Sequence, residues 1–523
     1  MKQLVLFISL LITTHSIGQI QNQSELTIDQ IMQGEDFVGY LPTNVNWSDD
    51  SKNIYFSWNP DKDTIRSTYQ VNIASKKVNK LSFEDLKQKT NPGKLSKDGL
   101  WTVYQKEGDL FLMNTKTFTK KQITNTIARE SNPIFSGDQK SVIYELDNNL
   151  FQWHINDGTT TQLTNFKSGN ERSERKLNAQ DQWLEDDQLQ YFNILEKRKN
   201  EAKAQSYRNE QTTFDRPKTI YLGDKNLFDI NISAELNYVI YRLYVSPKDK
   251  NTIVPDFVTE SGYTKDLNAR PKVGSDQYTY ESWILNIKTG ETYQIKTDSI
   301  QGIKDKPKYL KEYAENPSDY KDTYDEPRAV DIDSPIFSGD GKAIVNITSQ
   351  DNKDRWIMLV NLADGSLKLI DRQHDDAWIG GPGVGWFSRP EMGWIDNNTI
   401  WFKSEKTGYS HLYTANVNSG KIKALTEGNF EIQETSLSKD KKTFFITSNK
   451  VSPHEQHFYH LPSKGGKMTQ ITTRQGGHEV SISPDEKHLA IRYSFTNKPW
   501  ELYVMPNKAG AQMTQLTELN QLQ

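Results

Sequence analysis

One arrangement of apolar and polar positions recurs along the chain: an apolar residue, Ser, a short turn containing Asp or Gly, then a run of strand-like alternation. It reads Trp47-Ser48-Asp49-Asp50, Leu95-Ser96-Lys97-Asp98, Phe135-Ser136-Gly137-Asp138, Ile232-Ser233-Ala234-Glu235, Phe337-Ser338-Gly339-Asp340, Leu437-Ser438-Lys439-Asp440 and Ile482-Ser483-Pro484-Asp485. Trp394-Ile395-Asp396-Asn397-Asn398 is a degenerate eighth copy. Asp and Gly accept turn dihedrals and a Ser hydroxyl can bond the turn backbone, so each copy predicts a tight turn between two strands. Ser141-Val142-Ile143-Tyr144 reads as a strand leaving such a turn, and Asp109-Leu110-Phe111-Leu112-Met113 or His411-Leu412-Tyr413-Thr414 as the strand after it. Units close on Gln122-Ile123-Thr124, Gln162-Leu163-Thr164, Ala424-Leu425-Thr426, Gln470-Ile471-Thr472 and Gln515-Leu516-Thr517.

Where intact, the phrase returns every 40 to 45 residues or so, the period of a four-stranded propeller blade. The predicted fold class is all-β, an eight-bladed β-propeller with a helical insertion. Eight blades need about 340 residues at that period, and the chain has 523. The surplus falls where the period stretches: Asn165 to Thr219, Ser246 to Ser282, Lys296 to Asp331 and Asp371 to Pro390. In the first stretch Leu184, Tyr191, Phe192 and Leu195 share one helical face, predicting a helix over about 178–209. The chain opens on Lys2 and the apolar run Leu4 to Ile12 before small and polar residues, which predicts a signal peptide over 1–18. That run is too short to span a bilayer. The expectation is an exported, periplasmic or secreted chain whose residues 19–523 form one propeller.

Charge and composition narrow the chemistry. With 64 Lys plus Arg against 68 Asp plus Glu, net −4, a nucleic-acid partner is not expected. Cysteine is absent, which excludes disulfides and thiolate chemistry. No Gly-x-Ser-x-Gly occurs; Gly408-Tyr409-Ser410-His411-Leu412 comes nearest and lacks the second Gly. His454, His457 and His460 cluster, but Pro453-His454-Glu455-Gln456-His457 misses the metal-binding i, i+4 spacing. Gly380-Gly381-Pro382-Gly383-Val384-Gly385 lacks the Lys-Ser/Thr ending of a phosphate loop. No catalytic residue, metal or cofactor is therefore expected. Glu185-Asp186-Asp187 precedes Lys197-Arg198-Lys199 in the helical stretch, an order that a helix dipole favours. The same acids could instead hold a cationic group such as a peptide amino terminus.

Eight such blades, the early helical insertion and the ending from Ser483-Pro484-Asp485 to Lys498-Pro499-Trp500-Glu501-Leu502-Tyr503-Val504 together resemble the N-terminal propeller of dipeptidyl peptidase IV-like members of the prolyl oligopeptidase family. Val258-Thr259-Glu260-Ser261-Gly262-Tyr263 and the stretch from Asp376 to Tyr413 are similar to versions in exported Bacteroidetes-type peptidases. The resemblance implies a propeller that filters peptide substrates for an α/β-hydrolase domain carrying Ser, Asp and His. It also implies a pair of acids gripping the substrate amine, for which Glu185 and Asp186 are the candidates. The sequence ends at Gln523, roughly where the hydrolase domain would begin. The expectation is a non-catalytic, substrate-gating propeller, truncated or split from its hydrolase and inactive alone; the alternative is a stand-alone exported scaffold that binds peptide or protein. Expected partners are a peptide or protein substrate, a separately encoded α/β-hydrolase domain and a second copy in a homodimer.

Overall fold

Five copies of the turn phrase carry one hydrogen-bond pattern, and Ser338 repeats it one residue shorter, accepting from the Lys342 N–H at 2.8 Å. The Ser hydroxyl donates to the Asp two residues on, at 2.6 Å for Ser48, Ser96, Ser136 and Ser483 and 2.7 Å for Ser438. It also accepts from the N–H five residues on, at 2.9 to 3.0 Å, from Asn53, Trp101, Ser141, Thr443 and His488. The serine bond holds the carboxyls of Asp98, Asp138 and Asp440 below the usual carboxylate range. In the degenerate copy Asp396 acts without a Ser, accepting from the N–H groups of Asn398 and Thr399 at 2.8 and 2.7 Å.

The computed structural model describes residues 26–171, 177–248, 251–316, 318, 320–385 and 390–518; the expected signal peptide lies outside them. The fold is an eight-bladed β-propeller arrangement of sequential antiparallel sheets. The turn phrase joins the first strand of a blade to the second. A second device fastens the fourth strand to the third. The closing hydroxyls of Thr124, Thr164, Thr426, Thr472 and Thr517 accept from the N–H of Leu110, Leu150, Leu412, Phe458 and Leu502 at 2.9 to 3.0 Å. The side chain preceding each donor meets the same hydroxyl: Asp109, Asn149, His411, His457 and Glu501, at 3.3, 3.2, 3.1, 3.3 and 2.6 Å.

The chain divides into two compact units, residues 1–89, 451–459 and 469–523, and residues 90–450 and 460–468. In the first, Ile54, Phe56 and Val71 pack with Ala490 and Leu502, while Trp47 Nε1 donates to the Ser481 carbonyl at 2.9 Å. In the second, the strand Ala343–Ser349 shows how blades share a core. Ala343, Val345 and Ile347 pack with Ile240 and Ile284 of the preceding blade, and Ile344 packs with Ile400 and Phe402 of the following one. Successive side chains point to opposite faces, so this strand, covered on both sides, is buried at six of its seven positions.

The helical insertion is not the single amphipathic helix predicted. Two helices, Ala179–Tyr191 and Asn193–Thr212, meet at Phe192, whose φ of −120° and ψ of 89° leave helical space. No residue of either is buried, and Leu184, Tyr191 and Phe192 are 45%, 71% and 50% exposed. The break means that residues on its two sides no longer share one face.

Candidate functional site

Strand direction sorts the connections of the second unit by end. In each up-and-down blade the turn phrase and the third-to-fourth turn lie at one end. The second-to-third connection and the link to the next blade lie at the other. Residues 163–225 link the third blade to the fourth, 246–278 join the second and third strands of the fourth, 295–329 lead to the fifth, and 375–391 to the sixth. All four long connections therefore open at the same end, where loops on a rigid scaffold carry function.

A buried carboxylate anchors the third of them. Asp354, 0% exposed, accepts from Arg328 Nη2 at 2.6 Å and Arg372 Nε at 2.9 Å, with His374 Nδ1 3.1 Å away. Arg328 also donates to the carbonyls of Gly302 and Ile303 at 2.8 and 3.0 Å, and Arg372 to Asp305 at 2.7 Å. Trp356 Nε1 donates to the Gln301 carbonyl at 2.9 Å. The connection is thus bolted to the fifth blade around a carboxylate that is paired and hydrogen-bonded on both oxygens, the condition for burying it.

Beside this anchor lies a cavity of about 860 Å³, with Tyr278 and Tyr280 on its wall and Lys248, Asp276, Asp298 and Arg328 among its charged lining. The two rings stack with centroids 6.3 Å apart, and Phe228 meets Tyr280 edge-on at 6.0 Å. Behind them Arg242 lies 4.5 Å over Phe228 and donates to Asp331 at 2.8 Å. Burial pushes the Asp331 carboxyl up, and Arg242 opposes that shift. Apolar ring surface with polar groups converging on it suits an extended organic ligand such as a peptide.

The acids singled out from sequence lie in the middle of helix Ala179–Tyr191 and not at its start, where Asn178 caps and Asp181 is the first-turn acid. The three bases Lys197 to Lys199 open the second helix, so the dipole pairing read from their order does not occur. Glu185 Oε1 instead accepts from Lys199 Nζ at 2.7 Å, and Asp186 Oδ1 from Gln182 Nε2 at 3.1 Å. Glu185 is thus paired with the ammonium of Lys199 at the surface, both side chains about two-fifths exposed.

The other candidates are absorbed by structure. Ser410 is 0% exposed, donating its hydroxyl to the Pro382 carbonyl at 2.8 Å and its N–H to Glu431 at 2.6 Å. His457 lies between Thr472 and Glu455, and the His460 ring is 5.1 Å from Phe445. The glycine-rich loop covers the fully buried Lys403, which donates to the carbonyls of Ile432 and Gln433 and pairs with Glu391 at 2.9 Å. A Cβ on Gly383 would fall 2.8 Å from Lys403 Nζ, and one on Gly381 1.8 Å from Glu405 Oε1. Close approach, and not phosphate binding, accounts for those glycines. The Asp354 anchor and the tyrosine wall were missed from sequence; a run of Tyr278 and Tyr280 entering a strand was the available signal.

Residues 250–500, which include the anchor and all of the cavity lining except residues 245–248, match the family described as dipeptidyl peptidase IV (DPP IV) N-terminal region. Dipeptidyl aminopeptidase B of Saccharomyces cerevisiae is 22% identical over 415 residues, 76% of this chain and 42% of the relative. The crystal structure of Porphyromonas gingivalis dipeptidyl peptidase 4 is similar in fold, with a TM-score of 0.53 and 15% identity over 92% of this chain and 60% of that one. The chain spans less than two thirds of the length of either protein.

Proposed function

We propose, on the premise that this chain carries a dipeptidyl peptidase IV-like N-terminal propeller, that it is the substrate-gating part of an exported serine peptidase and breaks no bond itself. The observation that carries this reading is the gathering of all four long connections at one end, beside a cavity with an aromatic wall. The bonding of Ser410, His411 and His457 within blades supports a non-catalytic role, because none is left to act as nucleophile or base. The bond-breaking groups belong to an α/β-hydrolase domain. Glu185 and Asp186 receive the amino terminus of the peptide, whose ammonium takes the place that Lys199 Nζ holds at 2.7 Å.

The test is exposure of the purified chain to dipeptidyl reporter substrates and to a serine-directed phosphonate. The expected result is hydrolysis at background and no covalent label. Turnover together with labelling of this chain would contradict the reading.

A further inference from the structure

The cavity beside the Asp354 anchor has a second chamber. A smaller cavity of about 200 Å³ shares Tyr280, Thr297, Asp298 and Val330 with it, so the two adjoin along that common wall. Tyr280 and Ser282 are alternate residues of strand Thr279–Asn286 and point to the same face. The tyrosine wall of the larger cavity therefore runs on into the smaller one at Ser282. Ile295 and Ile332, 3% and 6% exposed, supply apolar wall there. A cavity of about 150 Å³ already holds benzene, so this chamber has room for one mid-sized side chain.

The polar groups of the chamber select the chemistry of that side chain. Ser282 is 3% exposed and its hydroxyl has no hydrogen-bond partner among the described residues, although buried hydroxyls are normally bonded. Lys296 and Asp298 line the same chamber, and neither side chain pairs with another described residue. Glu281, the remaining charged group, is taken by Lys225 Nζ at 2.7 Å and Trp283 Nε1 at 2.9 Å. A cationic guest would gain Asp298 but meet Lys296, and an anionic guest would meet the reverse. An apolar guest would leave the Ser282 hydroxyl unbonded beneath it. A carboxamide suits all three groups, because its NH2 donates to Asp298, its carbonyl accepts from Lys296, and the Ser282 hydroxyl can bond either end. We infer that this chamber receives the carboxamide side chain of a peptide glutamine, with Ser282 as the residue that sets the preference. The inference rests on the reading that a peptide occupies the larger cavity.

The test uses titration calorimetry on the full chain with glycine pentapeptides in which one glutamine is moved from the first position to the last. Methionine, lysine or glutamate replaces that glutamine in the comparison peptides. At one position glutamine is expected to bind about tenfold or more tighter than methionine, its near isostere, since the apolar analogue leaves buried polar groups unpaired. Ser282→Ala is expected to bring those two peptides level while leaving the affinity for pentaglycine unchanged. Lys296→Met, which leaves Asp298 as the only unpaired charge of the chamber, is expected to move the preference from glutamine to lysine. Unchanged midpoints of urea unfolding check that both variants fold. A chain that binds these peptides with no preference for glutamine at any position, or whose preference is indifferent to both variants, overturns the inference and leaves the gating function standing. A chain that binds none of them overturns both.

Discussion

Lys199 Nζ and Glu185 Oε1 lie 2.7 Å apart across the break between the two helices of the first insertion, with side chains 40% and 41% exposed. The pair shows that this helix carboxylate accepts an ammonium, and on the function proposed above a peptide competes with Lys199 for it. Removing the competitor should help the peptide. Lys199→Met is expected to tighten peptide binding by about two- to fivefold, the size of a lost partly exposed ion pair. Titration calorimetry reads the change, and weaker binding would show that Lys199 contacts the ligand itself.

Asp354 is a fully buried charge of the second unit that pairs with both Arg328 and Arg372. Asp354→Asn should cost about 1.5 to 3 kcal/mol, because each guanidinium loses a charge-assisted bond while keeping a second carboxylate, Asp351 for Arg328 and Asp305 for Arg372. The loss should concentrate in residues 299–331, which those arginines tie to the blade. Hydrogen exchange should show faster exchange there, and an unchanged pattern would remove the anchor role.

The serine of the turn phrase serves two bonds at once. Ser136, 2% exposed, donates to Asp138 and accepts from the Ser141 N–H. Ser136→Ala should destabilise the chain by about 1 to 3 kcal/mol, since a buried N–H loses its acceptor. A shift in the midpoint of urea unfolding measures it.

Acid should act on the first unit through His478. This side chain is 0% exposed, its Nδ1 lies 2.7 Å from the Gln456 carbonyl, and burial lowers its pKa to about 4. The folded pKa lies below the unfolded value of about 6.5, so the unfolded chain binds the proton more readily. The contribution of neutral His478 is complete above about pH 6.5 and falls away as the pH drops toward 4. The turn aspartates titrate below the usual carboxylate range and act at lower pH. His478→Leu should flatten the stability profile between about pH 6.5 and 4. A profile as steep as that of the unmodified chain would show that another group governs this window.

The parts of the fold legible in the sequence are those written in local chemistry. Ser96, Asp98 and Trp101 form one turn within six residues, so its signature survives in the order of residues. The first strands were harder, because segments such as Asn226–Ile232 are mostly half-buried and polar at alternate positions. The break at Phe192 left no mark, since no Gly or Pro lies between 179 and 212. Asp354 meets Arg328 and Arg372 from 26 and 18 residues away, and only the closure of the blade brings them together. Glu185 was found as a residue type in a suggestive place, but its bond to Lys199 depends on how the second helix folds back.

The most direct test of a peptide-gating propeller compares affinities for one short peptide with a free and with an acetylated amino terminus, by titration calorimetry on the full chain. A charge-assisted hydrogen bond contributes about 1.5 to 3 kcal/mol and 1.4 kcal/mol is one decade, so the free peptide should bind about tenfold or more tighter. Glu185→Gln with Asp186→Asn should abolish that difference. Equal affinity for the two peptides in the unmodified chain would contradict the assignment of this end of the propeller to substrate recognition through the amino terminus.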